Sequence, residues 1–416
     1  MRLDEIDLTD IGLYVDGDPH LVWQTLRAER PVFWQSRSAG EGFWAVTRYE
    51  DVRRVLSEYE TFTSESGTAI AMLDAVDPSA GHMMQATDPP RHRQFRQQIG
   101  KQFSVNAITS LTEQVRQFVR TAMSPALDGQ VWDVAESFAR LPMEVGALMM
   151  GLPEQDIDPL LNLAYASLAP HDARYRSDSA KNNYVSAHYE IIRYFSRHIE
   201  ERRENNPVPD VIGHLMTMEI DGQLMSDEDV IINCLSLLLG AVVTTSHAIN
   251  ATLIALAEQN GGEGRWPEVM PIRTTVDEAL RWASPVTHFM RRARRDVELH
   301  GETIKAGDAV TAWIASANRD ESFFPQPYAL DFERSPNHHV VFGYGAHRCL
   351  GSNVARLMLQ ESFAEMIADI ESFELAGAPR HLASNEIAGI VSLPIRVNLR
   401  TERATHRPPT ATPAVR

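Results

Sequence analysis

One stretch limits the fold of this chain more than any other. Residues 227–258 carry helical spacing without a break and read as a single helix. Ser226 can cap it, with Asp229 three residues later in a capping-box arrangement. At the usual helical rise it is about 45 Å long, enough to cross a domain of this size. Its centre, residues 235–248, is apolar nearly all round, so it belongs in the middle of the protein and not on a surface. Thr244 and Thr245 stand inside that centre, one turn after Gly240 and Ala241, and polar groups there need a reason. The longest nearly apolar run, residues 237–243, falls far short of the roughly 18 residues of a membrane span.

Elsewhere helical spacing covers residues 51–56, 105–127, 185–201 and 354–370. Residues 43–47 and 297–314 look strand-like, with Gly301 and Gly307 punctuating a hairpin meander. The expected fold is mainly α with a minor β part. No repeat and no Pro/Gly/Ser linker divides the 416 residues, so one unit over 1–400 is expected, followed by a flexible C-terminal tail over 401–416. A composition of 44% hydrophobic and 23% charged residues excludes wholesale disorder, and the length permits a large core without disulfides. The two cysteines, Cys234 and Cys349, exclude a disulfide framework, a four-cysteine zinc site and a C-x-x-C redox motif. A net charge of −17 argues against nucleic acid as a partner. Residues 1–18 are acidic and carry no basic leader before an apolar stretch, so a soluble cytoplasmic protein without membrane attachment, and a monomer, is expected.

The most specific chemistry lies in Phe342-Gly343-Tyr344-Gly345-Ala346-His347-Arg348-Cys349-Leu350-Gly351. A cysteine ends a glycine-rich loop that leads into a helix near Ser352. Glycines let the backbone take positive φ and approach a bulky partner. Helix N-terminal amides, His347 and Arg348 favour a thiolate, the form that iron ligation requires. A buried cysteine in a glycine turn is the plain alternative, but Phe, three Gly, His and Cys at fixed offsets reduce it sharply. The decapeptide resembles the haem-binding signature of the cytochrome P-450 family, F-G-x-G-x-H-x-C-x-G, with every fixed position filled. The resemblance implies the P-450 fold, with a long central helix over haem b (iron protoporphyrin IX) and the Cys loop beneath it. Cys349 would be the proximal thiolate and metal ligand, Phe342 would pack against its sulfur, and His347 would contact a haem propionate. Gly343 and Gly351 complete the cradle.

Further residues match the family in order along residues 48–394. Glu278 and Arg281 match its E-x-x-R, with Arg334 as the third member of a structural clamp for the cysteine loop. On their own such i, i+3 pairs are common on solvated helices. Asp88-Pro89-Pro90-Arg91-His92 resembles a family helix start, with Asp88 as cap and Pro89 at the first helical position. His92 and Arg96 share one face, spaced to grip a propionate, and Arg291 occupies the place of another propionate arginine. Of the neighbouring arginines, Arg292, Arg294 and Arg295 are expected to be merely solvated. Cys234 reads as a small buried hydrophobe.

The central helix departs from the family pattern, which has an acid before its threonine. Here the segment reads Gly240-Ala241-Val242-Val243-Thr244-Thr245. Thr244 keeps the alcohol that in the family hydrogen-bonds dioxygen and helps deliver protons, and Val243 replaces the acid. Proton delivery must then run through water, a substrate group, Thr245 or His247. The plain alternative for both threonines is back-bonding to helix carbonyls.

By the same resemblance the substrate pocket is drawn from Met72, Met84, Leu238, Ala241, Val242, Val286, Phe289 and Ile390. Met clusters also occur in cores, and His288 either orients a polar handle or is internally satisfied. Such a lining suits an apolar or aromatic small molecule. The implied activity is a haem-thiolate monooxygenase that uses dioxygen and two electrons from outside, in natural-product biosynthesis or catabolism. No G-x-G-x-x-G follows a strand, so a ferredoxin and its NAD(P)H-dependent reductase are the implied donors. Arg91, Arg93, Lys101 and Arg348 would face the acidic ferredoxin. Oxidative coupling or ring formation without oxygen insertion is the alternative that Val243 motivates. A haem protein that only binds or senses ligand is the least supported.

Overall fold

The computed structural model describes residues 2–400 apart from 39, 75–76, 176–177, 206–208 and 243. The expected tail over 401–416, and Val243, lie outside the described residues. Helix dominates, as the spacing requires. The helices that build the site are α1 (Arg91–Ile99), α2 (Thr112–Leu127), α3 (Val134–Met150), α4 (Ile157–Leu168), α5 (Ala180–Asn205), α6 (Asp227–Val242), α7 (Thr245–Gln259), α8 (Ile272–Ala283) and α9 (Ser352–Asp369).

The single long helix expected over 227–258 is interrupted. The described parts are α6, to Val242, and α7, from Thr245, and Thr244 just before α7 leaves the helix with φ −110° and ψ −46°. The residues at 242–245 are all β-branched, which restricts χ1 and crowds the preceding turn, so the ladder is weakest there. Ser226 does cap α6, its Oγ accepting from the Asp229 amide at 3.1 Å. The Asp229 carboxylate goes instead to His82, 2.8 Å away. The helix expected over 105–127 is also two, Val105–Thr109 and α2. Asp88 does not cap α1, which begins at Arg91; its carboxylate is taken by Thr63, Ser64 and Arg294.

The smaller β part holds a five-stranded sheet of β1 (Val32–Gln35), β2 (Phe43–Val46), β3 (Phe62–Thr63), β4 (His288–Ala293) and β5 (Ala309–Trp313), in the order β1-β2-β5-β4-β3. Only β2 and β5 run parallel. Beside it Val297–Leu299 pairs with Glu302–Ile304, and the turn between them has positive φ at His300 (51°) and Gly301 (80°), a hairpin geometry that suits the strand twist. A second sheet pairs Ile370–Leu375 with Glu263–Arg265 and Pro394–Leu399.

α6 and α7 belong to different cores. Leu253 and Leu256 of α7 pack with Val119 of α2, Phe138 of α3 and Phe363 of α9. Leu238 and Val242 of α6 pack with Met143 of α3, Leu160 of α4 and Phe195 of α5. Burying each such side chain stabilises the fold by about 1.5–3 kcal/mol. By length and composition Asp227–Gln259 could cross a membrane, yet 53% of its most apolar window is buried inside the protein. Cys234 is fully buried among these apolar neighbours, and burial pushes its thiol pKa up.

Candidate active site

The loop 342–351 closes on itself before α9 begins. The Cys349 amide donates to Phe342 O at 2.7 Å, and the Gly343 amide donates to Val340 O at 2.9 Å. Gly343 and Gly345 sit at φ 70° and 76°, and a Cβ at Gly345 would come within 2.7 Å of Ser57 Cα, so this loop can take only glycine there. Phe342 is buried under Arg356, whose guanidinium carbon lies 4.6 Å from the ring centre. Cys349 opens onto a cavity of about 870 Å³. Burial pushes its thiol pKa up, while the Gly351 amide, Arg96, Arg348 and Arg356 pull the other way. In the protein alone burial therefore outweighs the amide and cations expected to favour a thiolate; binding a metal ion would remove the proton.

The same cavity is walled by a set of cations and histidines. Arg291 is buried on β4, and the only hydrogen bond of its guanidinium among the described residues goes to Met290 O, at 2.7 Å. Burial pulls its pKa down to about 10, with Asp88 offsetting a little. His92 of α1 is buried with Nδ1 unpartnered, and burial lowers its pKa to about 3, with His347 and Arg96 adding to the effect. Its ring lies 4.2 Å from that of His347. Arg96 donates to Arg348 O at 2.6 Å. His347 Nε2 is 3.2 Å from Ser64 Oγ and 3.7 Å from Asp88. Burial alone would raise the pKa of Asp88, yet His347, Thr63, the Ser64 amide and Arg294 hold it well below the usual carboxylate range. Arg291, with donors to spare, and the orphaned His92 nitrogen ask for an anionic group in the cavity. A flat apolar macrocycle with carboxylate arms and an iron for Cys349 fits that donor set. Among the described residues no other cluster of metal-ligating side chains exists.

Behind the loop, Glu278 and Arg281 are fully buried on α8. Arg281 donates to both carboxylate oxygens, at 2.7 and 2.8 Å, and Arg334 reaches Glu278 at 3.1 Å. The Asp331 amide and Asn337 add two more donors. Burial would raise the Glu278 pKa, but Arg281 and these donors bring it down. Arg281 further ties the carbonyls of Asn318, Pro327 and Ala329.

Across the cavity stand Thr244, Thr245, Gly240 and Ala241. Among the described residues neither threonine hydroxyl bonds a helix carbonyl, unlike Thr252 of α7, which back-bonds to Ala248 O at 2.7 Å. Of the proposed pocket residues, Met72, Met84, Ala241, Val286 and Phe289 line the cavity. Leu238, Val242 and Ile390 do not; they face the hydrophobic cores, because the other side of the helix and strand meets the cavity. His247 is also off the cavity, its Nδ1 accepting from the Ile390 amide at 3.2 Å and its pKa lowered by burial to about 4. Arg292, Arg294 and Arg295 are not merely solvated: they bond Glu41, Asp88 with Glu65, and Thr61. Sequence reasoning missed Glu386, a carboxyl on the cavity wall with no motif around it.

A family model described as Cytochrome P450 matches residues 11–261 and 269–394. The chain is 32% identical over 406 residues to cytochrome P450 NovI of Streptomyces niveus, covering 95% of this chain and 97% of that protein. It is 31% identical over 407 residues to linalool 8-monooxygenase of Pseudomonas putida, covering 94% and 98%. Among solved structures it is similar to P450 OxyD, involved in the biosynthesis of vancomycin-type antibiotics, with a TM-score of 0.82, 31% identity, and 95% and 100% of the two chains covered.

Proposed function

This chain belongs to the cytochrome P450 family and is an oxidoreductase of the monooxygenase type, and on that premise we propose that Cys349 ligates haem b for the oxidation of an apolar or aromatic small molecule. When bound, haem supplies the electron and dioxygen chemistry that the side chains lack. Cys349 provides the thiolate. Arg291 and Arg96 would neutralise the haem carboxylates while His92 and His347 would hydrogen-bond them, and the Glu278–Arg281–Arg334 clamp would hold the cysteine loop in place. Thr244 and Thr245 would offer hydroxyls on the face across from the sulfur that hydrogen-bond dioxygen and relay protons drawn from water, in place of the missing acid. Met72, Met84, Val286 and Phe289 exclude water and orient the substrate. The relative that acts on linalool supports an apolar substrate, and the relative from antibiotic biosynthesis supports a natural-product one.

Electrons come, in this proposal, from a ferredoxin and its NAD(P)H-dependent reductase. Arg93, Lys101 and Arg348 are exposed and suit an acidic donor, whereas Arg91 is engaged by Asp221 and Gly81. A cytoplasmic location belongs to the same proposal.

The observation that carries the reading is Cys349 facing a cavity whose wall holds Arg291 without an anion. Carbon-monoxide difference spectroscopy of the reduced protein tests it: the red-shifted Soret band of thiolate-bound haem is expected, and Cys349→Ala must abolish it. A Soret band that survives the substitution overturns the assignment. Val243 favours a second reading, oxidative coupling without oxygen insertion. Turnover under isotopically labelled dioxygen separates the two: label in the product supports oxygenation, and its absence supports coupling.

A further inference from the structure

Apart from the cation wall and the distal threonines, the cavity is largely apolar, and Glu386 interrupts it. Its backbone is pinned in place. The Thr287 amide donates to Glu386 O at 2.9 Å, the Glu386 amide donates to Ser384 Oγ at 3.2 Å, and Val286 and Ile387 form a β-bridge. Its carboxyl, by contrast, has no hydrogen-bond donor and no cation among the described residues. Burial with nothing to offset it lifts the carboxyl to about 7. The adjoining wall is bonded within itself and sends Glu386 no donor. Thr287 Oγ1 lies 2.5 Å from Asn385 O, so its proton is committed there, and it accepts Nδ1–H of His288 at 2.9 Å. His288 Nε2 then keeps a lone pair, buried and without a partner.

The clamp arginines already share Glu278, and Arg294 holds Asp88 and Glu65, so Glu386 serves neither the clamp nor the segment that Asp88 fastens. A carboxyl on the cavity wall without a partner asks for a donor from outside. We infer that this wall is a subsite for a protonated amine, in which Glu386 receives the ammonium group of an otherwise apolar substrate. The inference rests on the oxygenase reading of the same cavity. An ammonium gives the carboxylate a charge-assisted hydrogen bond, a neutral substrate gives less, and an anion is repelled. The titratable groups on the facing elements are Tyr184 and His188 of α5, Asp77, His171 and His288. Burial lifts Tyr184 to about 12 and drops His288 to about 3, and it lowers His188. Near neutral pH Tyr184, His188 and His288 are therefore uncharged, whereas Glu386 titrates there.

The test uses the holoenzyme and three probes: N,N-dimethyloctylamine, the neutral N,N-dimethyloctanamide, and octanoate. Dissociation constants come from haem absorbance titrations and from calorimetry. The amine is expected to bind about tenfold tighter than either of the others at slightly alkaline pH. Its affinity rises as pH climbs through about 7, where Glu386 ionises. Glu386→Gln removes both the preference and the rise while leaving the carbon-monoxide spectrum intact. Equal affinities, a preference for octanoate, or no binding heat with the amine would each overturn the inference, on the wild-type protein alone. Loss of the thiolate-type spectrum sinks the oxygenase reading; an intact spectrum without amine preference sinks only this one.

Discussion

Arg291 shows how much a single buried side chain can demand. A guanidinium with one carbonyl partner is costly to bury unless an anion reaches it. Arg291→Leu is therefore expected to lower the haem-to-protein ratio of purified enzyme several-fold, read from the Soret and protein absorbance. Arg295→Leu, which loses only a contact to Thr61, should leave that ratio unchanged. Glu278→Gln removes the charge that Arg281 and Arg334 share in the dry interior. Breaking a buried pair of this kind costs about 3–5 kcal/mol, measurable by urea unfolding. Thr244→Ala should keep the haem spectrum and reduce the product formed per NAD(P)H consumed, because one of the two hydroxyls across from the sulfur is lost.

At the scale of elements, the loop before α1 is fastened to α6. Asn233 accepts from the Met84 amide at 2.9 Å and donates to His82 O at 3.0 Å, while His82 pairs with Asp229. Asn233→Leu should raise amide exchange at Met84 by roughly thirtyfold and leave α9 unaffected, since the two hydrogen bonds to the loop, of about 1 kcal/mol each, are removed. The cysteine loop was legible in the sequence because its chemistry needs fixed residue types at fixed offsets. The clamp was legible for the same reason. The wall facing the cavity was not: the end of α6 over 237–242 is apolar all round, so nothing in its pattern says that Ala241 meets the cavity while Leu238 and Val242 meet the core. The break at Thr244 was written in a β-branched run that periodicity alone reads through. Glu386 left no trace, since its isolation depends on segments far apart in the chain.

For the molecule as a whole, buried histidines set the response to acid. His288 and His247 have folded pKa values lowered by burial to about 3 and about 4, below the unfolded value of about 6.5. Their stabilisation is complete above that unfolded value and is lost as pH falls toward the folded ones. Urea midpoints should thus decline from pH about 6.5 down to about 4, and His288→Gln should flatten the decline. The depressed Asp88 pKa adds a loss in the same direction, below the ordinary carboxylate range. The division of the central helix reaches the same scale. α6 is anchored in one core and α7 in the other, and Thr244 lies where the second of them begins. The alcohol thus stands at the junction of two separately packed cores, and its position answers to both.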